Sequence, residues 1–229
     1  MKKRLLRLTV ISVISIALTG IAFADQPTTE NQKASYTIGY DMGYNYNLAH
    51  TKIDPDMLLA GLKDGLNNTK SQLTSAEMKQ ALQYLAAENA KAVREHAAAN
   101  LQASDAYLVK VSGEKNVHKI QNGLYYKALE KGHGATPSAT DLVTIKYQGS
   151  LANGTVFYDT FAVNKTETFS LSHVILGWRK AIQKMSVGST WMIYMAPSLG
   201  YGLYAPVTIG PNQALTYKIT LVAVHPATK

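Results

Sequence analysis

Val143-Thr144-Ile145-Lys146-Tyr147-Gln148-Gly149-Ser150-Leu151-Ala152-Asn153-Gly154-Thr155-Val156-Phe157 holds two strands and the turn between them. Val143, Ile145 and Tyr147 alternate with Thr144 and Lys146, the period-two pattern of a strand with one buried face. Asn153-Gly154 predicts a type I′ hairpin turn between residues 148–151 and 156–157. Working outward, residues 124–126 and 191–195 read as further strands. Residues 215–221 alternate so cleanly that one face must be buried. Between them, residues 174–184 form one short helical stretch with Ile175, Trp178 and Ile182 on one side. A short helix against an antiparallel sheet is an α+β arrangement. No internal repeat is visible.

The first half of the chain has a different period. Residues 25–33 are polar and are expected to be disordered. Tyr36, Tyr40 and Tyr44 then recur at i, i+4, i+8 with Ile38 and Met42 alongside, an amphipathic helix. Gly39 and Gly43 cost that helix about 0.8–1 kcal/mol each relative to Ala, yet one turn apart they let another helix backbone come close. This face packs either within its own subdomain or on a second chain. Asp54-Pro55 is an N-cap with proline in the first turn, and Met57, Leu58, Leu59, Leu62 and Leu66 give the second helix an apolar face, ended by Asn67-Asn68. Thr74 with Glu77 is a capping box. It opens a third helix that meets no proline or glycine until Gly113. From Ala86 to Asn100 that helix has no wide apolar stripe, which suits a solvent-bridging rod between two folded halves.

Composition and the N-terminus narrow the classes. The 229 residues are 46% hydrophobic and 17% charged, globular in character. Four positives of the net +8 (Lys2, Lys3, Arg4, Arg7) lie in the first ten residues, so the remainder is only mildly basic and does not suggest nucleic acid. A basic start, an apolar run over residues 10–22 and Ala22-Phe23-Ala24 predict a signal peptide cleaved after Ala24. The protein is therefore expected to be exported, to the periplasm and in association with the outer membrane or cell surface if not free. With no cysteine there is no lipidated N-terminus, disulfide or Cys-based zinc site.

Familiar catalytic motifs are missing. There is no G-x-S-x-G elbow, no phosphate-binding loop and no dinucleotide fingerprint. His50, His96, His118, His133, His173 and His225 lack metal-ligand spacing and read as surface or loop residues. Basic residues are not interleaved with aromatics as in nucleic-acid grooves. No cofactor or metal is implied.

An aromatic and aliphatic constellation remains. Val143-x-Ile145-x-Tyr147-x-Gly149-x-Leu151-x-x-Gly154-Thr155-x-Phe157 is similar to the opening signature of FKBP-type peptidyl-prolyl isomerases. Val174-Ile175-x-Gly177-Trp178 with Met185-x-x-Gly188 resembles the family's central motif. Pro197-x-x-x-Tyr201-Gly202 and Ile209-Gly210-Pro211-Asn212-x-x-Leu215 resemble its closing one. Ser35-Tyr36-x-Ile38-Gly39-Tyr40-x-x-Gly43 and Gly61-Leu62-x-Asp64-Gly65-Leu66 look like the dimerisation region of the macrophage infectivity potentiator (Mip) group. The resemblance implies a signal peptide (1–24), a helical dimerisation domain (25–73), a long connecting helix (74–115) and an FKBP-like isomerase domain (116–229). It further implies a V-shaped homodimer joined by its N-terminal helices, X-Pro segments of client proteins as partners, and room for macrolide-type ligands. Trp178 would be the floor under a proline ring, with Tyr147, Phe157, Val174, Ile175, Ile209 and Tyr217 as walls. The Ile175 N–H and Tyr201 hydroxyl would donate to substrate carbonyls.

The pattern breaks in three places. Where the family has an aspartate after the phenylalanine, this chain has Tyr158, with Asp159 one position later; Asp159 can stand in only if the backbone kinks, because one step along a strand turns a side chain to the other face. Tyr217 replaces the usual phenylalanine, adding a hydroxyl that needs a partner when buried. Residues 201–211 are about one residue shorter than in close relatives. Reduced turnover on X-Pro peptides is the expectation, with a non-catalytic, dimeric chaperone or surface binding protein as the alternative.

Overall fold

The structure is a computed structural model that describes residues 26–227. The leader peptide expected over residues 1–24 lies outside them. The chain separates into two compact units, one ending at Tyr40 and one starting at Asp41.

Helix α1 (Glu30–Leu48) begins earlier than expected. Thr29 Oγ1 accepts from Gln32 N–H while Gln32 Oε1 accepts from Thr29 N–H, at 3.2 and 3.0 Å. This reciprocal cap satisfies free N-terminal donors, so residues 30–33 are helical and not disordered. Helix α2 (Pro55–Leu66) starts as read: Asp54 Oδ1 accepts from the N–H groups of Asp56 and Met57. Helix α3 (Ser75–Ser112) opens on the Thr74–Glu77 capping box and runs 38 residues to Gly113, about 57 Å at 1.5 Å per residue.

The rod expected for α3 is only partly one. Ala97, Ser104, Leu108 and Val111 are buried, and the last two pack with Tyr194 and Ala214. Small residues at 97 and 104 let the helix lie close against the segment that follows Ile209, and hydrogen bonds do the rest. Asn100 Nδ2 donates to the Pro211 carbonyl (2.8 Å), Ser104 Oγ donates to the Asn212 carbonyl (3.0 Å), and Ala214 N–H donates to Ser104 Oγ (2.7 Å).

After α3 come β1 (His118–Gln121), β2 (Leu124–Glu130), β3 (Leu142–Leu151), β4 (Val156–Asp159), β5 (Glu167–Ser170), α4 (Leu176–Ile182), β6 (Thr190–Met195) and β7 (Leu215–His225). All the strand pairs are antiparallel, in the order β1-β2-β6-β7-β3-β4, with β5 pairing the other end of β3's outer edge. The α+β expectation holds. Val143, Ile145, Leu215, Ile219 and Leu221 are wholly buried, as alternation required. Each such side chain contributes about 1.5–3 kcal/mol by leaving water. Trp178, Ala181 and Ile182 of α4 join the same core. Gly177 brings α4 in close: a Cβ there would lie 2.6 Å from Met195 Sδ.

The hairpin turn differs from the type I′ expectation. That turn needs positive φ at both central residues, but only Gly154 (φ 88°) has it. Gly154 N–H donates to the Leu151 carbonyl and Leu151 N–H to the Thr155 carbonyl, both at 2.9 Å.

Candidate active site

The pairing of β3 with β4 sets the site. Gly149 is opposite Tyr158 and Ser150 is opposite Val156, so Phe157 is an extra, bulged residue. A bulge bends its strand and re-aims side chains. Here Phe157 and Tyr158 both face one cavity, and Asp159 turns away. Gly149 makes this possible: a Cβ there would lie 2.6 Å from the Phe157 ring and 2.8 Å from Tyr217 Cε1.

Along β3, Tyr147 falls between the stretches paired with β4 and β5. Thr160, 1% exposed, closes that gap. Its Oγ1 accepts from Tyr147 N–H at 2.8 Å and donates to the Tyr147 carbonyl at 3.1 Å, which also takes Thr160 N–H. A side chain thus completes the ladder, and Thr160 takes both backbone groups of Tyr147.

The cavity has a volume of about 350 Å³ and brings together Tyr147, Phe157, Val174, Ile175, Trp178, Tyr201, Ile209 and Tyr217. Eight of the nine residues singled out in the sequence are therefore neighbours. Trp178, on α4, is the ring the others surround. Tyr147, Tyr217 and Phe169 meet it edge-on, at centroid distances of 4.9, 5.0 and 5.6 Å and interplanar angles of 81°, 80° and 80°. Edge-to-face contacts of this kind are worth about 0.5–1.5 kcal/mol each beyond burial, so the floor is rigid. The Trp178 N–H is buried and has no hydrogen-bond partner among the described residues.

Two donors stand at the cavity. Ile175 caps the N-terminal end of α4 with extended backbone (ψ 148°), and among the described residues no backbone acceptor takes its N–H. Tyr201 precedes a short 3-10 turn, Gly202–Tyr204. Burial first, then the neighbouring Tyr201, push the added phenol of Tyr217 far above its ordinary range, so it stays protonated.

Asp159 is the ninth residue, and it does not line the cavity. Its Oδ2 accepts from Gln148 Nε2 at 2.6 Å, and its Oδ1 accepts from the N–H groups of Phe161 and Ala162 at 2.8 and 3.1 Å. The strand does kink, but one residue too early to help: the bulge at Phe157 turns Tyr158 inward and leaves Asp159 beside outward-facing Gln148. Bonds from Gln148 first, then the two amides, hold its carboxyl below the usual range.

Sequence reasoning missed Tyr158, Phe169, His173 and Thr208 as lining residues. His173, read as a surface or loop residue, is exposed and also borders the cavity, with Nδ1 3.0 Å from Ser172 Oγ. Glu167 was missed as well. Tyr158 donates to its Oε1 at 2.6 Å and Tyr147 to its Oε2 at 3.2 Å. Glu167 stands two residues before Phe169, and only the strand β5 puts the two on one face. A cavity with aromatic walls, a rigid indole floor and two spare donors can hold a five-membered ring dry while fixing the carbonyls beside it.

Residues 31–128 match the domain found amino terminal to FKBP-type peptidyl-prolyl isomerases, and residues 134–222 match the FKBP-type peptidyl-prolyl cis-trans isomerase domain itself. The chain is 35% identical to the outer membrane protein MIP of Legionella longbeachae, over 97% of this chain and 99% of that one. It is 37% identical to the peptidyl-prolyl cis-trans isomerase Mip of Coxiella burnetii, over 92% and 94%. The crystal structure of FkpA from Escherichia coli superposes with a TM-score of 0.64 at 28% identity, covering 88% of this chain and 99% of that one. Both halves thus have relatives in the same order, and the chain belongs to the FKBP-type peptidyl-prolyl cis-trans isomerases, in the group with an amino-terminal helical domain that includes Mip and FkpA.

Proposed function

We propose that this protein isomerises X-Pro bonds in exported client proteins, as a homodimer joined through its N-terminal helices. In this reading residues 25–73 dimerise, 74–115 connect and 116–229 catalyse. The observation that carries it is the Trp178 floor boxed by Tyr147, Phe169 and Tyr217, with the Ile175 and Tyr201 donors at its rim. Amide resonance sets a barrier of about 18–20 kcal/mol to rotation. A twisted amide has lost that resonance and much of its dipole. A dry aromatic box destabilises the polar planar form more than the twisted one, and donors that hold the flanking carbonyls fix the twist, all without a covalent step. The same walls would admit macrolide-type ligands. Export follows from the basic, apolar leader, and periplasmic or outer-membrane residence from the kinship with MIP.

Turnover is reduced, because Tyr158 places a phenol where the family carries a carboxylate and Asp159 is engaged elsewhere. In a protease-coupled assay on short X-Pro peptides the wild type shows a rate above background, and Tyr158→Asp raises it severalfold. No wild-type rate at any concentration would remove the catalytic reading. The same substitution of the wall favours a second reading, a dimeric chaperone that grips without catalysing. Refolding of a client lacking critical prolines separates the two, since help there cannot come from isomerisation.

A further inference from the structure

We infer that Glu167, a residue outside the cavity lining, is the positioning carboxylate of this active site, setting Tyr147 and Tyr158 as one electronegative wall. The inference rests on the isomerase reading of the cavity.

Tyr147 and Tyr158 come from neighbouring strands and lie nearly parallel, with ring centroids 5.0 Å apart and 14° between planes. Their hydroxyls converge on one carboxylate, one oxygen each: Tyr158 on Oε1 at 2.6 Å, Tyr147 on Oε2 at 3.2 Å. Lys165 Nζ completes the group, 3.4 Å from Oε1. Those are the groups that face Glu167: Tyr147 from β3, Tyr158 from β4, and Lys165 from the loop before β5. The Glu167 side chain is 18% exposed, whereas that of Lys165 is 64% exposed. The phenols are thus its better-shielded partners.

Three consequences follow. Tyr158 is 43% exposed on a bulged edge strand, and without an anchor its ring could swing into solvent; the 2.6 Å bond keeps it a wall. The bond to Glu167 helps hold Tyr147 in the orientation that presents its ring edge-on to the indole. Both hydroxyl hydrogens are committed to the carboxylate, so this side of the cavity offers ring faces and oxygen lone pairs. A carbonyl oxygen is repelled there and directed to donors elsewhere around the cavity, Ile175 N–H and Tyr201 Oη among them. Hydrogen bonds to a charged acceptor are worth roughly twice neutral ones, which suits a group acting through two others.

The bond from Tyr158, above all, with help from Lys165 and Tyr147, holds Glu167 below the ordinary carboxylate range. The ionised form does the positioning. Activity is therefore complete at neutral pH and falls only as pH drops through that lowered value.

The test measures kcat and KM on an X-Pro peptide by NMR exchange from about pH 3 to 8, on the full chain. Glu167→Gln lowers kcat about tenfold at pH 7, changes KM less than kcat, and abolishes the acid limb of the profile. Tyr158→Phe removes the main cause of the lowered carboxyl and so moves the acid limb to higher pH. Should Glu167→Gln fail to fold, the Tyr158→Phe shift decides alone. An active wild type whose profile neither variant changes overturns the role of Glu167. A wild type inactive at every pH instead removes the isomerase reading, which keeps the two failures distinct.

Discussion

Gly149, Tyr158 and Asp159 show how one missing side chain decides what a pocket contains. The Phe157 ring occupies the space that a Cβ on Gly149 would need, and the bulge this permits turns Tyr158 in and Asp159 out. The carboxylate nearest the family's aspartate in sequence is thus spent on Gln148 and the amides of Phe161 and Ala162. Asp159→Ala is accordingly expected to leave kcat/KM within about twofold while lowering Tm by a few degrees, since two loop amides lose their acceptor. The pH dependence carries a sign. Asp159 is held below its ordinary value of about 3.9, chiefly by Gln148. Its contribution is therefore present above that ordinary value and is lost as pH falls through the depressed one. The Tm gap between wild type and variant should be open at pH 7 and closed near pH 2; a gap that persists in acid would mean that Asp159 acts by something other than its charge.

The elements divide by the kind of contact that holds them. The N-caps at Asp54 and Thr74 were legible, because capping is local chemistry. So were β3 and β7, whose alternation records burial on one face, and β6, a run of apolar residues buried on both. The docking of α3 was not, because Asn100, Ser104 and Tyr107 meet the catalytic domain through hydrogen bonds. In the sequence such residues look like a solvated face. Strands β1 and β5 have four residues each, too few for a period. With β5 unseen, Glu167 had no face, and neither spacing nor family motif could reveal a bulge at Phe157. Eight cavity residues were legible because ordered motifs carry them; their supports, Thr160 and Glu167, lie between motifs. The α3 contact bears on the site, since the segment it grips directly follows Ile209 of the cavity wall. Ser104 is wholly buried, donates to Asn212 and accepts from Ala214. Ser104→Ala leaves both backbone groups without a partner, which costs about 1–3 kcal/mol by urea denaturation. With the Ile209 wall loosened, KM for an X-Pro peptide should rise more than kcat falls; an unchanged KM would mean that the helix is an anchor with no hold on the pocket.

At the scale of the whole molecule, the helical half has apolar surface to cover. Helix α2 buries none of its residues, and Met57, Leu59, Leu62 and Leu66 are 66, 48, 50 and 75% exposed. Scattered exposed apolar residues are ordinary, but a row of them along one 12-residue helix is not. A helix that short is marginal in water unless its apolar face packs. A second copy of the chain, meeting these faces with its own, is the occupant the proposed homodimer supplies. The catalytic cavity needs no such partner, since all its lining residues lie between Tyr147 and Tyr217 of one chain. The two properties should therefore separate. Sedimentation equilibrium at micromolar concentration should find a dimer for the wild type and a monomer for Leu59→Lys/Leu62→Lys. Each monomer should keep its rate on short X-Pro peptides within about twofold and lose most of its assistance to a refolding protein client, where two cavities on one particle act at raised effective concentration. A wild type that sediments as a monomer would leave those leucines without a partner of this kind. A monomeric variant inactive on peptides would tie the cavity to the helices by a route other than shared residues.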